Sequence, residues 1–490
     1  MSKTKDRILN ALNQNKVVVM FVLLSALTMW ASGKPLGFVA GELFTRIGRN
    51  GFTVLSLLIP VLAGMGLNFG IVIGAIAAQI AMFWVVYWGM GGISGLLVTV
   101  LLATPLAILF GYLVGKLFNK MKGAEMIAGM VLGYFADGLY QFFFLFAIGA
   151  IIPVDPMSNM IITGGVGVKN TIDLAGNLKY ALDNISMLTL IEVIFYVILA
   201  LTVIRLILHF IKKEGKLELT QFIPLILSAI VFGLSFAPQI ESFLATDRLG
   251  LLEALMMIIA IMILYQLYQI VMNKVVKKNP RFNMKRSLIF IGVATLMNAL
   301  SYVPFIESIL LSVSIPVMTY FLIALLCFFN NWLLKTRLGQ NMRTVGQSRQ
   351  VANAAGINVD RTRIIAMILS TVLACWGQII YLQNIGTFST YGAHTQVGQF
   401  AIAALLVGGA SVQLAKNKHA ILGVILFHSL FIAAPFAGQE LFNNAMLGEY
   451  FRVFVAYGVI AMSLAMHAWK TKKKKDDPLA VDVPEETEKA

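Results

Sequence analysis

Long apolar runs separated by short polar segments extend over almost the whole chain. A helix of about 20 apolar residues crosses a membrane core about 30 Å thick. The pattern therefore predicts an all-α, polytopic membrane bundle of about 14 transmembrane helices. The candidate spans are residues 17–33, 50–68, 69–89, 92–115, 124–152, 186–211, 219–237, 250–273, 287–305, 309–334, 364–387, 397–414, 419–436 and 449–469. Four glycines between 64 and 74 interrupt the 50–89 stretch, which forms either two full spans or broken helices.

The composition agrees with a membrane protein. Of the 490 residues, 59% are hydrophobic and 12% are charged, whereas soluble proteins have about 45–50% apolar and about 25% charged residues. This excludes an ordinary soluble enzyme, a disordered protein and a nucleic-acid binder. The two cysteines, Cys327 and Cys375, lie inside apolar runs without metal-ligand spacing, so they are interpreted as buried hydrophobic residues and no metal site is expected.

The charge is distributed unevenly between the two ends of the predicted spans. The 38 Lys and Arg residues outnumber the 23 Asp and Glu residues, which gives a net charge of +15. Thirty-one of the cations fall on one side, and the positive-inside rule places that side and both termini in the cytoplasm. The other side has seven cations: Lys34, Arg46, Arg49, Lys169, Lys179, Arg248 and Arg452.

The chain divides into a permease-like membrane domain, residues 1–469, and a tail, residues 470–490. The tail contains a Lys cluster followed by an acidic stretch, which predicts a disordered cytoplasmic end. The 153–185 segment is the one long loop on the opposite side. No clear internal repeat is evident.

The cytoplasmic loop 335–363 is longer and more amphipathic than the other connections. Its pattern predicts a short helix over 341–355, with Gly356 as its C-terminal cap. The loop contains apolar residues that a plain connector does not need, so they are expected to face a partner surface or, in the alternative, lipid. These residues are Met342, Val345, Val351 and Ala355.

At this loop the sequence resembles a known family. Residues 339–346 and 352–359 resemble the cytoplasmic loop of the ABC-importer inner-membrane permeases that serve simple sugars, nucleosides and branched-chain amino acids, a group of binding-protein-dependent transport permeases. Residues 402–409 resemble a second stretch of that family. The match over 60–140 is weaker, and Asn68 stands where the family has Asp or Asn.

The resemblance implies a transport subunit rather than an enzyme. Its partners would be an ABC ATPase subunit, a second permease copy or a paralogue, an extracytoplasmic solute-binding (lipo)protein and membrane lipid. The chain contains no phosphate-binding G-x-x-x-x-G-K-[ST] motif, so no cofactor is expected in it and ATP would be bound by the partner subunit. The implied location is the inner membrane of a bacterial-type cell. The residues implied in ATPase coupling are Gly339, Arg343, Gly346, Ala354, Ala355, Gly356 and Ile357.

The number of spans departs from the family. Relatives usually have about eight to ten spans, and this chain has ten candidates before the loop. We therefore expect residues near 186–305 to be an insertion of extra helices or a divergent form of the family's own helices.

Polar side chains inside the predicted spans are candidates for the substrate path, because such groups are costly in a membrane unless they face protein or water. Each is alternatively a hydrogen-bonding contact between helices. Asp137 and Gln141 share a helix face, and Asp137 is interpreted either as a structural group or as part of a proton relay. The path candidates are Asn68, Gln79, Asp137, Gln141, Gln378 and Gln399.

The substrate expected from the resemblance is a small polar solute, with a simple sugar as first choice. A nucleoside or a branched-chain amino acid is the alternative. A different class, the ion-coupled secondary transporter or flippase, also commonly has about 14 spans. The 335–363 loop favours the ABC permease.

Overall fold

The structure is a computed structural model that describes residues 16–212, 222–276 and 283–475. Cation-rich segments used to predict the orientation lie wholly or partly outside these residues. In the first part of the chain the elements are helices α1 (Lys16–Ala31), α2 (Leu36–Ser56), α3 (Leu58–Leu62), α4 (Ile71–Tyr87), α5 (Gly92–Lys120) and α6 (Glu125–Phe142), the last continued by the π-helical turn Phe143–Ala147 and by Ile148–Ala150, and then strand β1 (Thr171–Asp173).

The middle of the chain alternates long helices with bent pairs and short strands. It consists of α7 (Met187–Lys212), α8 (Ile223–Leu234), α9 (Pro238–Leu244), β2 (Arg248–Gly250), α10 (Leu251–Ile270, continued by the π-helical Val271–Val276), α11 (Met284–Ser301), α12 (Pro304–Leu311) and β3 (Ser314–Pro316).

The last part contains the loop and the final helices. Its elements are α13 (Val317–Lys335), α14 (Arg337–Gln347), α15 (Arg349–Ala354), α16 (Val359–Ile385), β4 (Thr387–Ser389), α17 (Ala393–Val407), α18 (Asn417–Phe442) and α19 (Ala445–Lys475). Helix α19 includes the start of the predicted tail, and residues 476–490 lie outside the described residues.

The all-α polytopic fold is confirmed, since each of the predicted apolar runs overlaps a helix. Among the described residues, eight helices are long and apolar enough to cross a membrane, or up to ten if each bent pair is one span. Three further apolar helices are shorter. The count of fourteen spans and the orientation of the termini stay predictions.

The central bundle is formed by helices α2 to α6 together with α16 to α18. Helix α16 packs against α2, α4 and α5, and α18 packs against α1, α2, α17 and α19. About 61% of the apolar window of α16 and 72% of that of α18 are buried inside the chain. These two helices therefore form the core of the protein.

Two short antiparallel strand pairs lie at one end of the molecule. Strand β1 pairs with β4, and β2 pairs with β3. The Asp183 carboxylate ties the pairs together, because it accepts hydrogen bonds from Thr319, just after β3, and from Asn384, just before β4. We call this end the strand end, and the opposite end, at residues 336–358, the loop end.

Residues 187–316 form a lateral unit beside the bundle. Its helices pack mainly in pairs, α7 with α8 and α10 with α11. Only 11% of the apolar window of α7 and 6% of that of α10 are buried inside the chain. The lateral unit thus presents most of its apolar surface outward.

The lateral unit contains an internal repeat, so the sequence prediction of no clear repeat is wrong. Two segments 66 residues apart, 235–244 and 301–310, have the same residue at six of ten positions. Each segment contains a sharp bend, of 98° between α8 and α9 and of 83° between α11 and α12. The repeat-related Leu249 and Ile315 are paired directly in the β2–β3 ladder. The shared residues are Ser235/Ser301, Pro238/Pro304, Ile240/Ile306, Glu241/Glu307, Ser242/Ser308 and Leu244/Leu310.

The 34–89 region differs from the sequence prediction in its boundaries. Helix α2 begins at Leu36 rather than near residue 50, and α2 and α3 together reach Leu62 at the loop end. The chain then breaks at the predicted glycines, and α4 starts at Ile71. Arg46 and Arg49, which were assigned to an outer loop, therefore lie inside a helix.

Candidate functional site

The loop at 336–358 contains two helices where the sequence predicted one. The Thr336 hydroxyl accepts a hydrogen bond from the Gly339 N–H (3.2 Å) and caps α14. The Ser348 hydroxyl accepts one from the Val351 N–H (3.3 Å) and caps α15. A capping serine favours a new helix start, which explains the break. Gly356 follows α15 with φ +75°, as the predicted C-terminal cap requires.

One face of the loop packs on the chain's own central bundle. Met342, Val345 and Ala352 are buried. Backbone meets backbone at Gly346, where an added Cβ would lie 2.2 Å from the Leu62 carbonyl oxygen. Gly64 faces it with φ +69°, and a Cβ there would lie 2.7 Å from the Gly346 Cα. Only glycine fits at this contact, so the loop is seated on the break between α3 and α4.

The other face of the loop is exposed. Val351, on α15, has 61% of its surface exposed. Four of the implied coupling residues are exposed beside it: Arg343, Ala354, Ala355 and Gly356. Ile357 is half-buried and packs with Val345 and Ala352, while Gly339 is buried against the Leu333 carbonyl. The implied coupling residues therefore fall into two groups, one packed against the rest of the chain and one exposed at the surface.

A buried ion-pair cluster connects the loop to the bundle, and sequence reasoning missed it. Oε1 of Glu125, at the start of α6, lies 2.5 Å from Nη2 of Arg349 and 2.5 Å from Nη2 of Arg363. The Arg363 side chain is 0% exposed and that of Glu125 is 7% exposed. A charge that is completely buried needs such a partner. One carboxylate therefore joins α6, α15 and α16.

Three predicted path residues are enclosed in the central bundle. Asn68, Gln79 and Gln378 are each 0% exposed. Asn68 donates weakly to the Ser370 hydroxyl (3.4 Å), whereas neither amide atom of Gln79 or of Gln378 has a partner among the described residues. These side chains belong to or adjoin α4 and α16, which pack together. All three are buried amides, and those of Gln79 and Gln378 have unused hydrogen-bonding capacity.

Two other path candidates lie together on α6. The Asp137 Oδ1 lies 2.7 Å from Nε2 of His394, at the start of α17, and Gln141 donates to the Asp137 Oδ2 (3.1 Å). The Tyr140 ring packs on the His394 ring with centroids 4.7 Å apart. Asp137 is thus hydrogen-bonded on both oxygens. Its partner His394 could not be found from sequence, because 257 residues separate the two.

Gln399, the last candidate, lies apart from these groups. Its Oε1 accepts a hydrogen bond from the Tyr457 hydroxyl (2.8 Å) on α19. Gln399 is half-buried and Tyr457 is 48% exposed. The structure therefore does not gather the six candidates into one pocket but distributes them over three places along the bundle.

The strand end is held by buried polar contacts. Asp183 accepts hydrogen bonds from Thr319 (2.5 Å), Gln383 (3.1 Å) and Asn384 (2.6 Å). Tyr391 donates to the Val168 carbonyl (2.6 Å), and burial raises the pKa of this tyrosine to about 12. The hydroxyl therefore stays protonated at neutral pH and keeps donating. Among the described residues no group of His, Cys, Asp and Glu is arranged to hold a metal.

Comparison with known proteins identifies a family. The family model for the permease component of the branched-chain amino acid transport system matches residues 193–464, just over half of the chain. The match includes the loop at 336–358, residues 402–409 and most of the lateral unit. It does not extend to the 60–140 segment, where the sequence resemblance is weaker.

Several curated proteins are similar over shorter segments. The xylose transport system permease protein of Haemophilus influenzae is 26% identical over 188 residues, 38% of this chain and 45% of that protein. A nucleoside ABC transporter permease protein of Lactococcus lactis is 37% identical over 111 residues, 22% of this chain and 34% of that protein. The galactose/methyl galactoside import permease protein of Salmonella typhimurium is 26% identical over 148 residues, 29% of this chain and 41% of that protein.

These matches are partial. The chain spans less than half the length of each of these curated relatives. No solved structure matches the chain.

Proposed function

Because the chain belongs to the family of branched-chain amino acid transport system permease components, we propose that it is the membrane permease subunit of an ATP-binding-cassette importer. The observation that carries the proposal is the loop at 336–358. It lies inside the matched region, is seated on the bundle by one face, and leaves an apolar residue, Val351, exposed on the other. A loop of this kind suits a contact with a separate ATPase.

The ATPase binds the exposed face of the loop and supplies the ATP, while this chain binds none. Val351, Ala354, Ala355 and Gly356 form the contact, with Arg343 beside them. Movement of the loop reaches the bundle by two routes. One is the Gly346–Gly64 backbone contact, and the other is the Glu125 cluster, in which the loop residue Arg349 shares a carboxylate with Arg363 of α16.

The transported solute is small and polar, and a simple sugar is the first choice. Two of the relatives described above are named for xylose and for galactose. The unpaired amides of Gln79 and Gln378 support a hydroxyl-rich solute, because amides both donate to and accept from hydroxyl groups. A nucleoside is the second candidate, favoured by the 37% identity to the nucleoside permease.

The remaining partners follow from the same proposal. A second copy of this chain or a paralogue completes the path, and an extracytoplasmic solute-binding (lipo)protein delivers the solute at the strand end. The complex lies in the inner membrane of a bacterial-type cell, where lipid covers the outward apolar surface of the lateral unit.

The proposal is tested by co-purification and transport. The tagged chain is co-expressed with a candidate ABC ATPase subunit from the same organism, and ATP-driven uptake of labelled xylose, galactose and uridine is measured. We expect Val351→Glu to abolish co-purification of the ATPase, because it places a charge in an apolar contact. The matched control is Met121→Glu, an exposed methionine (42%) in the turn after α5 and outside the loop.

Two outcomes contradict the proposal. One is uptake that continues after ATP depletion and collapses with an ionophore, which indicates an ion-coupled carrier. The other is equal ATPase binding by the wild type and by Val351→Glu, which removes the loop from the ATPase contact.

A further inference from the structure

Three arginines lie inside helices at positions that the sequence pattern assigned to the polar side of the membrane. Arg46 is ten residues after the start of α2, about 15 Å along the helix axis. Arg49 is less than one turn further along α2. Arg452 is seven residues after the start of α19, about 10 Å along its axis. Arg49 contacts Asn384, which lies just before β4, so this part of α2 lies beside the strand end.

The three guanidinium groups differ in how well they are paired. Arg49 donates from Nε to Asn384 Oδ1 (2.9 Å) and lies 6.0 Å from the centre of the Tyr381 ring. Arg452 forms an ion pair with Glu449 and donates to the Phe431 carbonyl (2.7 Å). Nε of Arg46 is buried, and no hydrogen bond or ion pair of the Arg46 side chain is present among the described residues.

The two helices that carry the three cations, α2 and α19, both pack against α18. Arg452 donates to the Phe431 carbonyl of that helix, three residues after His428. His428 is 4% exposed, and its Nδ1 has no partner among the described residues.

Two carboxylates offset the cations only in part. Glu449 is engaged by Arg452, and Glu42, one turn before Arg46, attracts Arg46 without an ion-pair contact among the described residues. Three guanidinium groups against two carboxylates leave one excess positive charge. Arg46 and Arg49 are half-buried, so the cluster is not sealed from the surface.

We propose that Arg46, Arg49 and Arg452 form a binding station for an oxyanion, and that the carried solute is a sugar or nucleoside bearing one carboxylate or phosphate group. The planar guanidinium matches such groups with two parallel hydrogen bonds. The excess positive charge can neutralise one such anion, and the unpaired Nε of Arg46 can donate a hydrogen bond to it. This inference rests on the proposed function and specifies the solute class.

The test uses the purified full-length chain in nanodiscs of phosphatidylcholine, a neutral lipid. Thermal unfolding is followed with three pairs of probes at 10 mM: glucuronate against glucose, galacturonate against galactose, and uridine monophosphate against uridine. A ligand that binds the folded state raises Tm. We expect the charged member of at least one pair to raise Tm by about 2 °C or more, and the neutral member to have no comparable effect.

Variants connect that shift to the cluster. Arg46→Gln is expected to abolish the shift and Arg46→Lys to reduce it, since lysine retains the charge but not the paired donors. Glu42→Gln is expected to increase it, because a competing carboxylate is removed. Arg361→Gln, an exposed cation at the loop end, is the matched control and keeps the wild-type shift. Size-exclusion profiles and ligand-free Tm values show whether each variant is folded.

Three results overturn the inference: no charged probe raises Tm, neutral and charged probes raise it equally, or Arg46→Gln retains the shift.

Anionic lipid is the other source of an oxyanion. If phosphatidylglycerol nanodiscs stabilise the wild type over Arg46→Gln while no soluble probe does, the station binds a lipid headgroup instead. ATP-driven import of neutral xylose or uridine, equal in the wild type and in Arg46→Gln, retains the proposed permease but rejects the anionic solute.

Discussion

The central bundle and the lateral unit are both made of apolar helices, yet they are held together differently. In the bundle, side chains from distant parts of the sequence meet in buried polar contacts, such as Glu125 with Arg363 and Asp183 with Asn384. In the lateral unit, the buried Ser235 and Ser301 hydroxyls bond only to carbonyls of their own helices. There the repeats are connected by the backbone ladder of β2 and β3 and by a small apolar cluster around Leu249 and Ala254.

This difference shows where the sequence specifies a unique arrangement. A buried polar pair is satisfied in one geometry only, so it fixes which helices meet and at what height. Apolar helix faces tolerate sliding and accept lipid or another helix with little preference. The bundle is therefore held in one arrangement by specific polar pairs, whereas the lateral unit is held by its ladder and by apolar contacts.

The largest effect is expected at Glu125. Glu125→Ala leaves Arg363 completely buried without its counter-charge, and breaking such a pair costs about 3–5 kcal/mol. The measurement is the unfolding midpoint of the full chain in detergent.

The control for Glu125 is Asp360→Ala. Asp360 pairs with Lys122 at 3.4 Å, both side chains are more than half exposed, and the carboxylate lies in the first turn of α16, so its loss is expected to cost about 1 kcal/mol or less. Equal destabilisation by Glu125→Ala and Asp360→Ala would contradict this expectation. It would mean that burial does not determine how much these ion pairs stabilise the protein.

A smaller effect is expected where the loop is seated. Gly64→Ala has a conformational cost of about 1–2 kcal/mol at positive φ and adds a clash with the Gly346 backbone of a further 1–3 kcal/mol, roughly. Gly356→Ala is the matched control, because its φ is also positive but no atom lies within 4 Å of an added Cβ.

Protease cleavage within 336–358 reports whether the loop is seated. We expect faster cleavage in Gly64→Ala than in Gly356→Ala. The same cleavage rate in both would show that the close backbone contact does not hold the loop.

The smallest effect is expected in the lateral unit and concerns its symmetry. Glu241 and Glu307 occupy the same place in the first turns of α9 and α12, where a carboxylate interacts favourably with the helix N-terminus. Glu241→Gln and Glu307→Gln are each expected to cost about 0.3–1 kcal/mol, and the double variant to cost their sum. A large or strongly unequal pair of values in thermal unfolding would show that the two repeats have diverged in role.

Much of the fold could be predicted from apolar runs alone, because each long run became a helix. The start of α2 could not, because residues 36–50 mix glycine, glutamate and arginine with apolar residues and lack the signature of a span. For the same reason Arg46 and Arg49 were counted as loop cations. Their position depends on tertiary contacts with α16 and α18, which override the local pattern.

The candidate site was predictable only in part. Sequence reasoning found the loop and its C-terminal glycine, but it could not tell that Met342 and Val345 pack on the chain itself while Val351 stays exposed. It selected the amides Gln79 and Gln378 as path candidates, which stays a prediction, and it missed the Glu125–Arg363 pair because 238 residues separate the partners. The repeat was missed because its shared residues lie at and just after the bends, near the ends of the predicted runs.

The register of the β2–β3 ladder has a consequence for how such chains evolve. A helix starts directly after each strand, α10 after β2 and α13 after β3, and both strands lie side by side. Because the ladder is antiparallel, Leu251 lies beside Val313 and Val317 lies beside Asp247, so the helices that follow the two strands leave the ladder at opposite ends. Tandem duplication or deletion of one 66-residue repeat would therefore reverse the direction in which the next helix leaves the ladder, and relatives of different length that keep one common bundle are expected to differ by pairs of repeats.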